Sequence, residues 1–298
     1  MHAFEYDAPT TLQDAIDMLA RDPASSRPLA GGTDLIDQMR MGRYRPAHVI
    51  DVKKINELNV LEVTDQGLRL GAAVPCRRIL AEPQIVEHYA ALADSCRILG
   101  GIQIQSRASV GGNLCNSGPA ADSTPSLIAL QATCVIAGAD GQREVPVESF
   151  CMGPGKNVLA PGELLVELRF PPVSGAFGSH YRRLIPRNEM DIAVVGVGAA
   201  VQLDDSKTHF TSARIALAAV APTPLLAKEA SEALAGEPIN DEVIQRAAEA
   251  CGSIVQPIDD MRGTVAYRRH VSSVLVKRVL QAAVQRARGE SLDYHPGH

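Results

Sequence analysis

The chain has 298 residues, 46% of them hydrophobic, enough for a sizeable core and for two or three domains of ordinary size. With 29 basic and 34 acidic residues, a net charge of −5 and no basic block, it lacks the electrostatic footprint of a nucleic-acid binder. Residues 2–12 hold polar side chains and Pro9 where a secretory signal needs an apolar stretch, and the longest apolar run, residues 192–201, falls well short of the ~20 residues of a membrane-spanning helix, so a soluble, cytoplasmic protein is expected.

Residues 4–6 read as a short strand. Thr11 followed by Asp14 comes close to a capping box, and Leu12, Ala15, Ile16 and Leu19 recur at helical spacing. Residues 28–30 form a second strand, Gly31-Gly32-Thr33-Asp34 a turn, an amphipathic helix runs to about Met41, and residues 49–52 make a third strand. This β–α–β–α–β order over the first ~55 residues predicts a small parallel sheet. The Gly31–Gly32 turn joins a strand to a helix N-terminus, where free N–H groups and the helix dipole favour an anion. Thr33 either caps the helix or donates to a phosphate oxygen. Asp34 would compete with a phosphate, so it caps its own helix or meets a ribose hydroxyl.

Residues 57–174 read as a mixed α/β unit. Strands at 60–63 and 68–72 flank an Asp65-Gln66-Gly67 turn, and helices are expected at 76–80 and 85–92, with another starting at 93. Ser109-Val110-Gly111-Gly112-Asn113 reads as a strand turning through a glycine pair, with positive φ open to both glycines, before a polar loop and an apolar helix over 126–132. Such a turn leaves N–H groups for a phosphate or diphosphate. Asn113, Ser117 and Ser123 can add side-chain hydrogen bonds, and Asp122 can accept one from a sugar or base. Either glycine pair alone is equally a plain turn signal; two of them raise the odds of a ligand. A hairpin over Asp140-Gly141 and a strand at 164–170 complete this unit, and Pro171-Pro172 marks its boundary. Beyond it come strands at 179–184, 192–203 and 213–220, then helices near 225–235, 240–251 and 264–288, the last with an apolar stripe that reads as core.

Gly196-Val197-Gly198 and Gly153-Pro154-Gly155-Lys156 fall short of the dinucleotide and Walker patterns and read as structural. Cys76, Cys96, Cys115, Cys134, Cys151 and Cys251 form no CxxC pair and have no histidine at ligand spacing, so buried reduced thiols are expected and no metal or cluster in this chain.

Ala30-Gly31-Gly32-Thr33-Asp34-Leu35, and Ser109-Val110-Gly111-Gly112-Asn113 followed by Ser117-Gly118-Pro119-Ala120-Ala121-Asp122, resemble the paired FAD motifs of the molybdenum hydroxylases, in their flavin-binding medium subunit. Phe4-Glu5-Tyr6, Gly153-Pro154-Gly155-Lys156, Pro161-Gly162-Glu163-Leu164-Leu165, and Arg187 with Asp191-Ile192-Ala193 extend the resemblance over essentially the whole chain. It implies an α+β fold in three parts. These are a small parallel N-terminal FAD-binding subdomain (1–56), a mixed α/β second subdomain (57–174), and a C-terminal three-stranded sheet with a helical bundle (175–298).

The resemblance further implies FAD between the first two parts, with both glycine turns on its diphosphate. Asp122 would meet the ribose or adenine end, Leu99 and Leu165 would line the cleft, and Arg183 and Asp191 would lie towards the isoalloxazine side. The activity implied is electron relay with no catalytic side chain in this chain. A molybdenum-bearing large subunit oxidises the substrate, a [2Fe-2S] small subunit passes electrons to FAD, and an external acceptor takes them, with Arg183 as a cation favouring reduced flavin. A dimer of three-chain units is implied as well. The lack of cluster-binding cysteines counts against the benzoyl-CoA reductase branch, whose flavin subunit carries an extra cluster. Two other readings remain open. One is a self-sufficient flavin oxidase of the vanillyl-alcohol oxidase type, for which His48 and Cys115 are the residues nearest a covalent tether. The other is a scaffold that has kept the fold, whose sign would be decay of a glycine motif; both motifs are intact. Substrate and final acceptor are not encoded in any residue of this chain.

Overall fold

The structure is a computed structural model that describes residues 1–187 and 190–292. In the first part, the Thr11 hydroxyl accepts the Asp14 N–H at 3.1 Å and starts a helix. The elements are β1 (Glu5–Asp7), α1 (Leu12–Arg21), β2 (Ser26–Leu29), α2 (Leu35–Arg40) and β3 (His48–Asp51), and the strands form a parallel sheet in the order β1-β3-β2. Ala15, Ile16 and Leu19 bury the apolar stripe of α1 against Ile50 and Val52. The same cluster takes in Leu58, Ala73, Ala137, Leu164 and Val166, so the first two parts of the chain share a core.

The second part contains β4 (Leu61–Thr64), β5 (Gly67–Gly71), α3 (Cys76–Leu80), α4 (Pro83–His88), α5 (Ala90–Ile98), α6 (Ile102–Gln105), α7 (Val110–Asn116) and α8 (Ser123–Ala129). It continues with β6 (Thr133–Gly138), β7 (Gly141–Pro146), β8 (Cys151–Gly153), β9 (Lys156–Asn157) and β10 (Leu164–Phe170). Five of these strands make an antiparallel sheet in the order β4-β5-β10-β6-β7, and β8 and β9 pair separately.

The third part comprises β11 (Phe177–Leu184), β12 (Val195–Leu203), β13 (Phe210–Ala218), β14 (Leu225–Leu226), α9 (Lys228–Glu232), α10 (Asp241–Ile254) and α11 (Val265–Arg288). Its three long antiparallel strands are joined at the edge by the two-residue β14. Alternation along β12 sorts its neighbours. Val195, Val197, Ala199 and Val201 join the cluster of α10 and α11, whereas Gly198 lies against the backbone of Pro125 in α8, where a Cβ would come within 2.7 Å of the carbonyl. The sheet is therefore covered on both faces, by α10 and α11 and by a helix of the second part.

A buried carboxylate ties these parts together. Asp94, fully buried on α5, receives the Arg286 guanidinium from α11 at 2.5 and 3.0 Å and the Tyr181 N–H at 3.2 Å, and lies 2.8 Å from His180 Nδ1. Burial works against its charge, yet the hydrogen bonds of His180 and Arg286 outweigh burial and hold the carboxyl below the usual range.

The structure departs from the sequence reading in five places. Ser109–Asn113 is not a glycine turn. The Ser109 hydroxyl accepts the Gly112 N–H at 3.0 Å and caps α7, so both glycines sit in a helical first turn without positive φ, and Ser117, at φ 49°, ends that helix. The following helix begins at Ser123 instead of Ser126. The break expected between a helix at 85–92 and another starting at 93 falls earlier, at Tyr89, the joint between α4 and α5. The third-part strand expected from 192 starts at Val195, and the helix expected at 225–235 shortens to α9 behind β14.

Arg286→Ala removes the nearer guanidinium from the buried Asp94 carboxylate, leaving Arg97 at 3.3 Å as its remaining arginine, and is expected to cost about 3 kcal/mol in urea unfolding at neutral pH. Because the Asp94 pKa is lowered on folding, its contribution is present above the ordinary carboxylate pKa and is lost as pH falls through the folded value. The Arg286→Ala deficit should accordingly shrink on acidification below about pH 4.

Candidate functional site

A cavity of about 790 Å³ lies where the first and second parts meet. Ala30, Gly31, Gly32, Thr33, Asp34 and Leu35 line it from the β2–α2 connection, and Ser109, Gly111, Gly112 and Asn113 from the start of α7. Leu99, just beyond α5, and Leu165 of β10 complete the set of expected lining residues. Twelve of the fifteen residues singled out from the sequence thus converge on one cavity.

The glycines do different jobs. A Cβ on Gly31 would stand 2.1 Å from the Arg107 carbonyl oxygen, and one on Gly111 2.5 Å from the Ala72 carbonyl oxygen. Both are required by backbone packing. Gly32 has φ +76°, the left-handed turn that leads into α2. Gly112 is the open one: its Cβ would meet only the Ser109 hydroxyl, at 3.0 Å. It keeps the cavity wall at backbone height, a cradle that any side chain would fill.

Asp34 stands at the N-cap position of α2 but makes no side-chain cap, and Thr33 does not cap that helix either. The Asp34 carboxylate instead accepts the Asn116 side-chain N–H at 3.3 Å, and the Gln38 side chain donates to Asn116 Oδ1 at 3.1 Å, a bridge between the two glycine segments. Burial, with the nearby Asp37 charge, raises the Asp34 pKa. Asn113 accepts the Ser123 hydroxyl at 2.6 Å and so fixes the start of α8. Cys115, weighed from the sequence only as a covalent tether, lines the cavity, as do Gln38 and Asn116, which were not expected from the sequence. Reading residues 110–116 as a helix would have placed 112, 113, 115 and 116 near one another.

Asp122, Arg183 and Asp191 do not line the cavity. Asp122 and Arg183 were expected at different ends of the ligand, but they are partners. Arg183 donates to Asp122 at 2.5 Å, Tyr181 donates to the other carboxylate oxygen at 2.8 Å, and Arg183 also donates to the Ile98 carbonyl at 3.0 Å. Arg183 is therefore no unpaired cation, and the pair stands behind Leu99. Burial pushes the Asp122 pKa up to about 6 against the pull of Arg183 and Tyr181, so the pair is charged at neutral pH and titrates in mild acid. Asp191 lies beyond β11, with its carboxylate oxygens 3.7 Å from Arg187 and 3.7 Å from Arg262.

Neither residue nearest a covalent flavin tether is suited to it. His48 does not line the cavity and contacts Asp7 at 2.8 Å, and burial pushes the Cys115 thiol up to about 12, far from a reactive thiolate. Among the described residues no group of His, Cys, Asp or Glu is placed to hold a metal, and no helix is long and apolar enough to cross a membrane.

A cavity of this size between two glycine-marked helix starts, with apolar side walls, defines a nucleotide-cofactor-binding protein. The family model described as the FAD binding domain in molybdopterin dehydrogenase matches residues 2–173, and that of the CO dehydrogenase flavoprotein C-terminal domain matches residues 180–283. The chain belongs to this FAD-binding family of the molybdopterin dehydrogenases. It is 33% identical to the xanthine dehydrogenase FAD-binding subunit of Escherichia coli O157:H7, over 96% of this chain and 97% of that one. It is 31% identical to the carbon monoxide dehydrogenase medium chain of Hydrogenophaga pseudoflava, over 94% and 96%. A solved structure of the Hydrogenophaga pseudoflava enzyme superposes with a TM-score of 0.91 at 30% identity, covering 96% of this chain and 98% of that chain.

Gly111→Ala forces a methyl into the Ala72 carbonyl and is expected to lower stability by about 2 kcal/mol or more in urea unfolding. Gly112→Ala should change stability by no more than about 1 kcal/mol, yet weaken FAD uptake in a fluorescence titration because its methyl rises into the cavity. Equal effects of the two variants on both measurements would contradict the division of roles.

Proposed function

We propose that the chain is the FAD-carrying medium subunit of a molybdenum-containing hydroxylase, with the flavin in the cavity described above. The observation that carries this reading is the convergence of both glycine segments, distant in sequence, on one cavity wall. When bound, FAD supplies the electron-transfer chemistry, and the protein supplies position and electrostatics. The diphosphate would face the start of α2 at Gly32–Leu35, because Ser109 already takes the Gly112 N–H; Gly112 supplies the room. Leu99 and Leu165 exclude water from the ring systems. The Asp122–Arg183 pair acts as one unit that holds the Ile98 carbonyl, and through it Leu99, at the flavin end. Asp191 would close that end from the loop after β11.

The division into 1–56, 57–174 and 175–298 is part of the same proposal. So are the partners: a large subunit with the molybdenum cofactor, a small [2Fe-2S] subunit that delivers electrons to FAD, and a dimer of such heterotrimers in the cytoplasm. Relatives at similar identity are named for xanthine, carbon monoxide, glyceraldehyde and nicotinate, which supports a substrate chosen outside this chain.

The test is an absorption spectrum of the purified chain before and after acid precipitation. Bands near ~370 and ~450 nm that pass to the supernatant are expected for noncovalent flavin. Flavin left in the pellet would favour the covalent oxidase reading, and failure to take up added FAD, alone or with the partner chains, would sink the assignment.

Asp34 gives the reading a sharper edge. Its raised pKa means that the neutral carboxyl persists above the usual carboxylate range, and the charged form repels a diphosphate. FAD affinity should fall as pH rises through the Asp34 pKa in the native chain. Asp34→Asn should flatten that dependence and keep affinity at pH 7 at or above the native value; an unaltered pH profile would remove Asp34 from the diphosphate site.

A further inference from the structure

Asp94 and Asp122 each tie the second part to the third through an arginine, and acid reaches them in different ranges. Asp94 of α5 takes Arg286 of α11, and its carboxyl is held below the usual range. Asp122, just before α8, takes Arg183 and Tyr181 of β11, and burial pushes its carboxyl up to about 6. The side chains of Arg183 and Asp122 are 7% and 12% exposed, so water does little to support either charge alone. The Tyr181 ring is held where it is: a Cβ on Gly196 of β12 would come within 2.6 Å of its hydroxyl.

Both Asp122 oxygens accept, one from Tyr181 and one from Arg183, and an added proton has to sit on one of them. A guanidinium has no lone pair to receive that proton, whereas a tyrosine hydroxyl turns about its own C–O bond and accepts. The proton then lies between Asp122 and Tyr181, and Arg183 faces a neutral oxygen where it had a carboxylate. Charge-assisted hydrogen bonds are roughly twice as strong as neutral ones, and a buried cation that loses its counter-charge is destabilised where it stands. Among the described residues no second carboxylate is ready for Arg183. On α5, Asp94 is taken by Arg286, with Arg97 3.3 Å away. α8 and β12 carry no charged residue, and α7 brings only Cys115, whose thiol is pushed up to about 12. Arg214 of β13 is bonded to the Ile128 carbonyl and Glu148. His180 and Arg182 alternate onto the other face of β11, where His180 lies against Asp94.

We propose that Asp122, Tyr181 and Arg183 form a proton-operated latch between the second and third parts. Its opening frees the Ile98 carbonyl, to which Arg183 donates at 3.0 Å, and with it Leu99 at the end of the cavity. The Asp94–Arg286 link stays closed and serves as the pivot. Mild acid opens the latch without unfolding the chain. The folded Asp122 binds its proton more tightly than the unfolded carboxyl does, so its contribution to stability is full below the ordinary carboxylate pKa and is lost as pH rises through about 6. The Asp94 link, with its lowered carboxyl, gives way only below the ordinary range. Between about pH 4.5 and 6, therefore, the latch is open and the pivot is intact.

The experiment is hydrogen exchange of the full-length, flavin-free chain, read by mass spectrometry between about pH 4.5 and 8 and corrected for the intrinsic pH dependence of exchange. Segments 97–101 and 181–185 should exchange about tenfold faster at about pH 5 than at about pH 7.5, because the protonated share of Asp122 rises from about 3% to about 90%. Segments 90–95 and 280–287, at the pivot, should keep their protection. Asp122→Asn, neutral at every pH, should exchange fast in the first two segments throughout and lose the transition. Tyr181→Phe removes a hydrogen bond that favours the charged carboxylate, so the transition should move to higher pH, a shift that a merely structural role for Tyr181 would not give. A transition that loosens all four segments together, a midpoint below about pH 4.5, or native pH dependence in Asp122→Asn would overturn the latch. A gate speeds entry and exit alike, so uptake and release of FAD should both quicken over the same interval while affinity is set elsewhere. That consequence rests on the reading of the cavity as the FAD site, and exchange in the flavin-free chain is independent of it. A chain that shows the transition but takes up no FAD, alone or with the partner chains, would support the latch and overturn the FAD reading.

Discussion

Two backbone contacts without side chains set the geometry of this protein. Gly31 lies against the Arg107 carbonyl and Gly111 against the Ala72 carbonyl, at separations where any Cβ would overlap an oxygen. These contacts draw the β2–α2 connection onto the segment leading into α7, and draw α7 onto the chain just after β5. The cavity is the space left over once the backbones have met. The hydrophobic cluster around Ile50, Ala73 and Leu164 makes the approach stable, because residues of both parts lose apolar surface in the same place. A glycine at either contact is therefore a packing requirement first, and the cofactor site follows from the packing.

The third part controls the other end of the cavity through charge. Helix α5 is held at Asp94 by Arg286 of α11, and at its last residue by Arg183 of β11, which donates to the Ile98 carbonyl while paired with Asp122. Leu99 comes immediately after that carbonyl. Its position is thus decided by two arginines from the C-terminal sheet and its covering helix, and by two buried carboxylates from the second part. Such pairs contribute little net stability once desolvation is counted, but breaking one partner away from the other is expensive. They work here as locators: the end of α5 has one low-energy place to be.

Much of this could be read from residues in order. The alternation and capping that predict the parallel β–α–β–α–β start, the Asp140-Gly141 hairpin and the long terminal helix are local signals, and local structure obeys them. The helix at Val110–Asn116 was hidden because a glycine pair is a poor helix former; what overrides that is the Ser109 cap together with the fit of Gly111 on Ala72, and the second is a tertiary fact. Likewise, Asp122 and Arg183 each stand out in the sequence, but their pairing depends on β11 crossing behind α5, and nothing within either segment announces it. Asn116 and Gln38 were missed for the same reason: their bridge exists only after the two glycine segments have met.

The charge in the cavity shows how an anionic dinucleotide could be held without a dedicated cation. Among the described lining residues Arg27 is the only Lys or Arg, and it is committed to three carbonyls and the Tyr44 face. Of the two lining carboxylates, Glu163 is paired with Arg143, and Asp34, whose pKa is raised by partial desolvation and by the Asp37 charge, accepts the Asn116 side-chain N–H. In the proposed placement the diphosphate would meet helix-terminal dipoles at the start of α2 instead of a guanidinium. Dipoles fixed in a low-dielectric wall lose less to ionic screening than exposed side-chain charges do. An arrangement of this kind would hold the diphosphate by position more than by net charge, with Asp34 as the titratable group on that wall.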